Sequence, residues 1–187
     1  MVTYVIKPLT HLDLEVFQKL ASGYTSQEKY MVGKSETFRL SAITLELQNL
    51  NAPYIKQWEH DPDLMEFYQS VLEQNLSLGC YMGTKLVGIA IAEKRDWNQS
   101  LWVWEFHVDP GYRYQGLGSQ MIAQLTSLAQ KAGCRVIVCE TQNTNVPAIR
   151  FYRKNGFEIG GVDLSYYTNQ DITDFEVAIF MKRYLPS

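Results

Sequence analysis

A glycine-rich turn with one arginine is the stretch of this chain whose chemistry is most readily interpreted. Residues 102–118 describe an apolar strand that passes through a basic turn into a helix. Gly116 and Gly118 let a ligand approach the backbone, and the first N–H groups of the helix carry the positive end of its dipole. We therefore predict a phosphate-binding turn, against glycines needed for chain geometry alone, made of Arg113, Tyr114, Gln115, Gly116, Leu117, Gly118 and Ser119.

Two carboxylates and a tyrosine lie in otherwise apolar elements. Glu105 and His107 interrupt a strand predicted over residues 101–108, and Glu140 ends a short buried strand predicted over residues 136–139. Polar groups in such strands need partners or a wet cavity, which favours a cleft. The competing interpretations are carboxylates satisfied by backbone donors and, for Tyr152, a core aromatic.

These residues must be positioned by the second half of the chain, where turn residues separate well-marked elements. The predicted elements are a hairpin of strands 76–82 and 86–93 around Gly83-Thr84, strand 101–108, a helix from the glycine turn to Gly133, strand 136–139, a helix capped by Asn145 and ended by Asn155-Gly156, and strands 157–164 and 175–183.

The first 74 residues have a weaker pattern. We expect a strand from the alternation of Val2, Tyr4 and Ile6, then a helix capped by Thr10 with Asp13 completing a capping box. Residues 22–36 carry no assigned element. The remaining expectations are a bulged strand over residues 37–47, with a helix as its alternative, and two short helices over residues 52–74 interrupted by Asp61-Pro62.

The composition is that of an ordinary globular chain. Its 187 residues, 46% hydrophobic and 20% charged, are enough for one domain, predicted over residues 1–187. A net charge of -3 argues against nucleic acid as the main partner. Cys80, Cys134 and Cys139 lack metal-ligand spacing, and no signal peptide or membrane-length apolar run is evident. We expect a soluble cytoplasmic protein without a metal and without a membrane partner.

Two motifs, separated by one helix and one strand, resemble those of a known family. The first is Val108-x-Pro110-x-Tyr112-Arg113-x-x-Gly116-x-Gly118, and the second is Asn145-x-x-Ala148-Ile149-x-Phe151-Tyr152-x-x-x-Gly156-Phe157. Together they resemble the paired signature of the GNAT superfamily of acetyl-CoA-dependent N-acetyltransferases. Within it, residues 139–145, 160–163 and 176–180 look most similar to streptothricin acetyltransferases, with ribosomal-protein alanine N-acetyltransferases as a related second match.

The resemblance implies an α/β fold with a mixed, splayed central sheet and helices on both of its faces. It also implies acetyl-CoA as the cosubstrate, with its pyrophosphate at the turn of residues 113–119 and its pantetheine arm along the backbone of Phe106 and Val108. Asn145 would bond the same arm, serve as a helix cap, or do both.

The same resemblance suggests catalytic roles. An alkyl ammonium group, with a pKa near ~10, must lose a proton before its nitrogen can attack a thioester. Glu140 matches the position of the proposed base in the alanine acetyltransferases, and Glu105 is the alternative because a carboxylate on that strand acts through water in many GNAT enzymes. Tyr152 would donate a proton to the departing thiolate.

The acceptor is expected to be a primary amine on a small molecule or a peptide. A streptothricin-like β-lysyl amine is the leading candidate, because the segment matches are supported by three acidic residues near the expected cleft, Glu105, Glu140 and Asp163. The alternatives are protein N-terminal acetylation and a non-catalytic acetyl-CoA-binding module. A nucleotide-binding protein is disfavoured because Ser119 follows the glycines without a lysine. Both a monomer and a homodimer remain open.

Overall fold

The chain forms two compact units, each built from segments that are distant in sequence. The computed structural model describes residues 4–58, 61–174 and 176–186, so Val2 and Phe175, which open two predicted strands, lie outside the described residues. The first unit holds the described parts of residues 1–22, 58–138 and 183–187, and the second holds those of residues 23–57 and 139–182. The single domain stays a prediction.

The first unit contains four antiparallel strands in the order β1-β4-β5-β6 and three helices. Its elements are β1 (Val5–Pro8), α1 (Leu14–Leu20), α2 (Leu64–Leu72), β4 (Leu78–Met82), β5 (Lys85–Arg95), β6 (Ser100–Val108) and α3 (Leu117–Lys131). The β4–β5 hairpin turns at Gly83, whose φ of +59° suits glycine, as predicted.

Helices cover both faces of this four-stranded part. Ile89 and Ile91 of β5 belong to a buried cluster with Phe17 of α1 and Tyr68 of α2. Neighbouring residues of a strand point to opposite faces, and Gly88 lies against Met121 of α3. The mixed α/β class with helices on both faces is therefore confirmed.

The second unit contains a long two-stranded hairpin and three further strands in the order β7-β9-β8, with β8 and β9 antiparallel. Its elements are β2 (Tyr24–Glu36), β3 (Ser41–Lys56), β7 (Val136–Gln142, which begins in the first unit), α4 (Val146–Lys154), β8 (Glu158–Asp163), α5 (Asp171–Asp174) and β9 (Ala178–Tyr184, which ends in the first unit). The predicted splay of the sheet concerns both units and stays a prediction.

Asn143 holds the β2–β3 hairpin in the second unit. Its side-chain amide donates to the Tyr30 carbonyl at 2.8 Å, its carbonyl accepts the Tyr30 N–H at 3.0 Å, and its Oδ1 accepts the Val177 N–H at 2.8 Å. Arg150 of α4 also pairs with Glu28 of β2. Long-range bonds therefore give a two-stranded ribbon the support that it lacks alone.

Three expectations about elements were wrong, and one segment had no assignment. Helix α1 begins after Asp13, which occupies the N-cap position that was predicted for Thr10, and the Asp13 carboxylate accepts from His11 rather than capping the helix. Residues 52–56 continue strand β3 and form no helix. Strand β7 runs on to Gln142, so Glu140 lies within it rather than at its end. Residues 22–36, left unassigned, mostly form β2.

Candidate active site

The glycine-rich turn forms a left-handed entry into helix α3. Tyr114 and Gly116 have φ values of +62° and +86°, and Gly116 is the N-cap. A Cβ at residue 116 would meet no atom within 4 Å, so the glycine serves the backbone conformation and leaves open space beside it. The N–H groups of Leu117, Gly118 and Ser119 begin a 15-residue helix, where intrahelical acceptors are lacking.

Charged side chains hold the segment between the end of β6 and this turn. Asp109 accepts the Gly111 N–H at 2.9 Å and pairs with Lys85 Nζ at 2.8 Å. The hydrogen bond from Lys85 lowers the pKa of the Asp109 carboxyl. Arg113 Nε donates to the Val108 carbonyl at 2.9 Å, and this bond ties the turn to the end of β6. The arrangement places a cationic group and helix N–H groups on one short segment, as an anion site requires.

Glu105 lies in a polar cluster of the first unit. Tyr68 of α2 donates its hydroxyl proton to Glu105 Oε1 at 2.5 Å, and His107 Nε2 lies 2.5 Å from Glu105 Oε2. Burial, the charge of Glu105 and this hydrogen bond raise the pKa of Tyr68, which therefore remains a neutral donor. Both carboxylate oxygens are engaged, and Phe106 and Val108 lie beside this cluster in the last three residues of β6.

Glu140 lies in a different cluster, in the second unit. Tyr167 donates its hydroxyl proton to Glu140 Oε1 and accepts a hydrogen bond from Gln142 Nε2 at 3.0 Å. Glu140 and Gln142 are two residues apart in β7 and share one face of the strand. Burial, then the charge and the hydrogen bond of Glu140, raises the pKa of Tyr167, so this hydroxyl remains a phenol.

Tyrosines of the β2–β3 hairpin extend this cluster. Tyr24 bonds Thr144 through its hydroxyl at 2.6 Å, while Tyr54 donates to Glu176 at 2.7 Å. Lys56 Nζ also lies 2.7 Å from Glu176 and compensates its charge. Burial and the hydrogen bond to Glu176 raise the pKa of Tyr54 to about 12. The second unit thus presents neutral phenols around carboxylates.

Asn145 and Tyr152 lie on the predicted helix α4. The side chain of Asn145 accepts the Ala148 N–H at 3.3 Å, so the helix-cap role is confirmed. Tyr152 is buried and hydrogen-bonds the side chain of Cys139, whose thiol pKa burial raises. Because Cys139 and Glu140 are consecutive in β7, they point to opposite faces, and Tyr152 lies on the Cys139 side.

The structure thus groups some of the predicted residues and adds others. The turn of residues 113–119 and the Glu105–His107 pair are each assembled in the first unit, and Glu140 and Asn145 lie in the second. Three groups were not predicted: the hydroxyls of Tyr68 and Tyr167, which donate to Glu105 and Glu140, and the amide of Gln142, which donates to the Tyr167 hydroxyl. For Gln142 the signal was its i, i+2 spacing from Glu140. No sequence signal identifies Tyr167, 25 residues from its partner Gln142.

Neither metal chemistry nor a membrane segment is indicated by the part of the chain that the structure describes. Among residues 4–58, 61–174 and 176–186, no three His, Cys, Asp or Glu side chains group as metal ligands would. The three cysteines are buried and unpaired by disulfides. Within the same residues, no helix combines the length and apolar character needed to cross a membrane.

Comparison with known proteins adds an independent observation. The sequence profile of the Acetyltransferase (GNAT) family matches residues 44–157. Streptothricin acetyltransferase A of Bacillus subtilis is 27% identical over 94% of this chain and 97% of its own length. A nourseothricin acetyltransferase structure superposes with a TM-score of 0.78 at 26% identity, covering 98% of this chain and 99% of that one.

A second solved structure includes a ligand. It is a Bacillus anthracis protein assigned as a streptothricin acetyltransferase, in complex with acetyl coenzyme A; it superposes with a TM-score of 0.77 at 26% identity and covers 99% of both chains. The profile match spans more than half of the present chain and includes both motifs up to Phe157. The chain therefore belongs to the acetyltransferase (GNAT) family, as its paired motifs predicted.

Proposed function

We propose that this acetyltransferase transfers the acetyl group of acetyl-CoA to a primary amine of a small cationic acceptor, with a streptothricin-like β-lysyl amine as the leading candidate. The observation that carries this proposal is the similarity to a streptothricin acetyltransferase along 94% of the chain, rather than over the coenzyme motifs alone. The acidic and phenolic side chains around Glu140 and Glu176 support a cationic acceptor.

The glycine-rich turn fits the phosphate groups of acetyl-CoA. The open space beside Gly116, the N–H groups at the start of α3 and the charge of Arg113 are the three features that a pyrophosphate needs. Tyr114, Gln115, Leu117, Gly118 and Ser119 complete the proposed binding segment, and the backbone of Phe106 and Val108 and the Asn145 side chain are proposed for the pantetheine arm. Acetyl-CoA supplies an acyl carbon that is activated as a thioester.

Glu140 is the proposed general base. Its carboxylate would take a proton from the acceptor nitrogen, which then forms the new C–N bond as the C–S bond breaks. An ionised carboxylate near an ammonium group also favours binding of the charged acceptor. Glu105 remains the second candidate, because its carboxylate lies in strand β6 with His107 Nε2 2.5 Å away.

Tyr152 is the proposed acid. Its hydroxyl would give its proton to the departing thiolate sulfur. In this structure the hydroxyl hydrogen-bonds Cys139, on the face of β7 opposite to Glu140, so it would have to leave that partner to reach the coenzyme sulfur. The buried position of Tyr152 on α4 supports a fixed ring orientation. As a core aromatic alone, residue 152 would need no hydroxyl.

A thiol-release assay with an amine panel tests the proposed acceptor. Streptothricin, spermidine and a peptide with N-terminal alanine are compared at equal concentration, with acetyl-CoA in excess. We expect coenzyme release to be fastest with streptothricin. Release only with the peptide would replace the proposal by protein N-terminal acetylation, and acetyl-CoA binding without release from any amine would indicate a non-catalytic module.

A further inference from the structure

We propose that Tyr167 is a positioning residue for Glu140 and that Gln142 acts on Glu140 only through Tyr167. This inference rests on the proposed function, in which Glu140 removes a proton from the acceptor amine. The three side chains form one directed chain of hydrogen bonds within the second unit: Gln142 Nε2 donates to the Tyr167 hydroxyl oxygen, and the Tyr167 hydroxyl donates to Glu140 Oε1.

The orientation of the Gln142 amide indicates that this chain of hydrogen bonds favours the ionised form of Glu140. A phenol has one proton to donate, and Tyr167 gives it to Glu140, so Gln142 must present its N–H to the phenol oxygen. As a result Gln142 Oε1 is buried without a hydrogen-bond partner among the described residues. An unsatisfied buried carbonyl is unfavourable. Despite this cost, the Gln142 N–H donates to the phenol oxygen and the phenol proton is donated to the carboxylate, as an ionised Glu140 requires.

The Tyr167 backbone is itself held by a buried carboxylate. Asp171 accepts the Tyr167 N–H at 3.0 Å and the Thr168 N–H at 2.6 Å, and it is almost fully buried. Burial of Asp171 opposes ionisation, but these N–H donors outweigh it and lower the pKa of the Asp171 carboxyl. The phenol is partly exposed, but it extends from a segment whose backbone Asp171 holds in place.

Other ionisable groups of the second unit are unchanged in the proposed variants. Tyr24 of β2 and Cys139 of β7 interact electrostatically with Glu140. Glu176, which precedes β9, interacts with Tyr167 and bonds Tyr54 and Lys56 of β3. Lys56 forms an ion pair with Glu176 and so compensates its negative charge. Burial raises the pKa values of Tyr24 and Cys139, and burial with the Glu176 bond raises that of Tyr54, so none of these three changes charge where a carboxyl titrates.

The first test measures the pKa of the Glu140 carboxyl directly. Carbon-13 NMR of glutamate-labelled full-length protein resolves the side-chain carboxyl signals, and Glu140→Gln assigns the signal of residue 140. Tyr167→Phe removes a donor from the ionised form, so the pKa of Glu140 should rise by roughly one unit. An unchanged titration in a folded Tyr167→Phe protein would overturn the proposal.

A double-mutant cycle tests the role of Gln142. Gln142→Met keeps the length of the side chain and removes its N–H, so it should raise the pKa of Glu140 by less than Tyr167→Phe does. In the Tyr167→Phe background it should have no further effect, because its connection to Glu140 is already missing. If the two substitutions shifted the pKa of Glu140 additively, Gln142 would act independently of Tyr167, and the proposed chain of hydrogen bonds would be overturned.

Two further measurements separate this inference from the proposed function. Tyr166→Phe is the matched control, since it removes the neighbouring hydroxyl and keeps the ring contact with Phe180; it should leave the Glu140 titration unchanged. The acid limb of kcat, measured at saturating substrates, should follow the NMR shift in Tyr167→Phe. A changed pKa of Glu140 in the NMR titration, without a change in the pH dependence of kcat, would support the chain of hydrogen bonds and exclude Glu140 as the base.

Discussion

Glu105 and Glu140 each accept a hydrogen bond from a tyrosine on another element. Tyr68 donates to Glu105 Oε1, and His107 Nε2 lies 2.5 Å from Glu105 Oε2. Tyr167 donates to Glu140 Oε1. A carboxylate has about four acceptor sites, so each side chain is held in a fixed orientation and can still accept a proton. The choice of Glu140 over Glu105 as the base is therefore tested by substitution.

Substitution of Glu140 tests that assignment. Glu140→Gln retains the shape of the side chain but cannot accept a proton, so turnover should fall by roughly a hundredfold and its rise with pH should flatten. Steady-state rates from pH 5 to pH 10 provide the measurement, with Glu105→Gln run in parallel. Full activity of Glu140→Gln together with loss in Glu105→Gln would move the base to β6.

Tyr152→Phe tests the acid. The variant keeps the buried ring and its packing against Phe157, whose ring centroid is 5.3 Å away, and it removes the hydroxyl. We expect a decrease in kcat on the order of tenfold to a thousandfold with unchanged acetyl-CoA affinity. Single-turnover rates and calorimetry measure the two quantities. A variant with wild-type kcat would show that the hydroxyl serves only Cys139.

At the scale of elements, the glycine turn of α3 permits a test of coenzyme binding. Gly118→Asp places a side chain and a negative charge in the first turn of α3, where the pyrophosphate is proposed to bind, so affinity for acetyl-CoA should fall at least roughly a hundredfold. Ser127→Asp introduces the same charge on an exposed position later in the same helix and should leave affinity unchanged. Equal affinity of the two folded variants in calorimetry would exclude the turn.

Local signals explain which elements could be predicted from the sequence. The glycine turn, the Gly83 hairpin and the Asn145 cap depend on residues within a few positions of one another, and all three were confirmed. The β2–β3 hairpin could not be assigned in the same way. Its register shifts between Ser26 and Glu28, and its support comes from Asn143, more than 100 residues away in sequence.

In the candidate site too, the predicted residues have local sequence signals, and the residues that were not predicted are distant in sequence from their partners. Spacing indicated Glu105, Glu140 and the turn of residues 113–119, because each has a recognisable local context. The groups that determine how the carboxylates behave come from elsewhere in the chain: Tyr68 lies 37 residues from Glu105, and Tyr167 lies 27 residues from Glu140. A single sequence contains no signal for such pairs, whereas the folded chain displays them as hydrogen bonds.

For the whole molecule, we expect each acetyl transfer to an amine to release one molecule of coenzyme A. The net charge of -3 is compatible with a cationic acceptor, and similarity to streptothricin acetyltransferase A extends over nearly the whole chain. The proposed phosphate-binding turn lies in the first unit, and the proposed base and acid lie in the second.

The most direct measurement follows both products of one reaction. Purified protein is incubated with acetyl-CoA and streptothricin, free thiol is quantified, and the acetylated amine is identified by mass spectrometry. We predict one acetylated β-lysyl amine for each thiol released, at a rate well above that of Glu140→Gln. Thiol release without an acetylated amine, or tight acetyl-CoA binding with no turnover of any amine in the panel, would contradict the account.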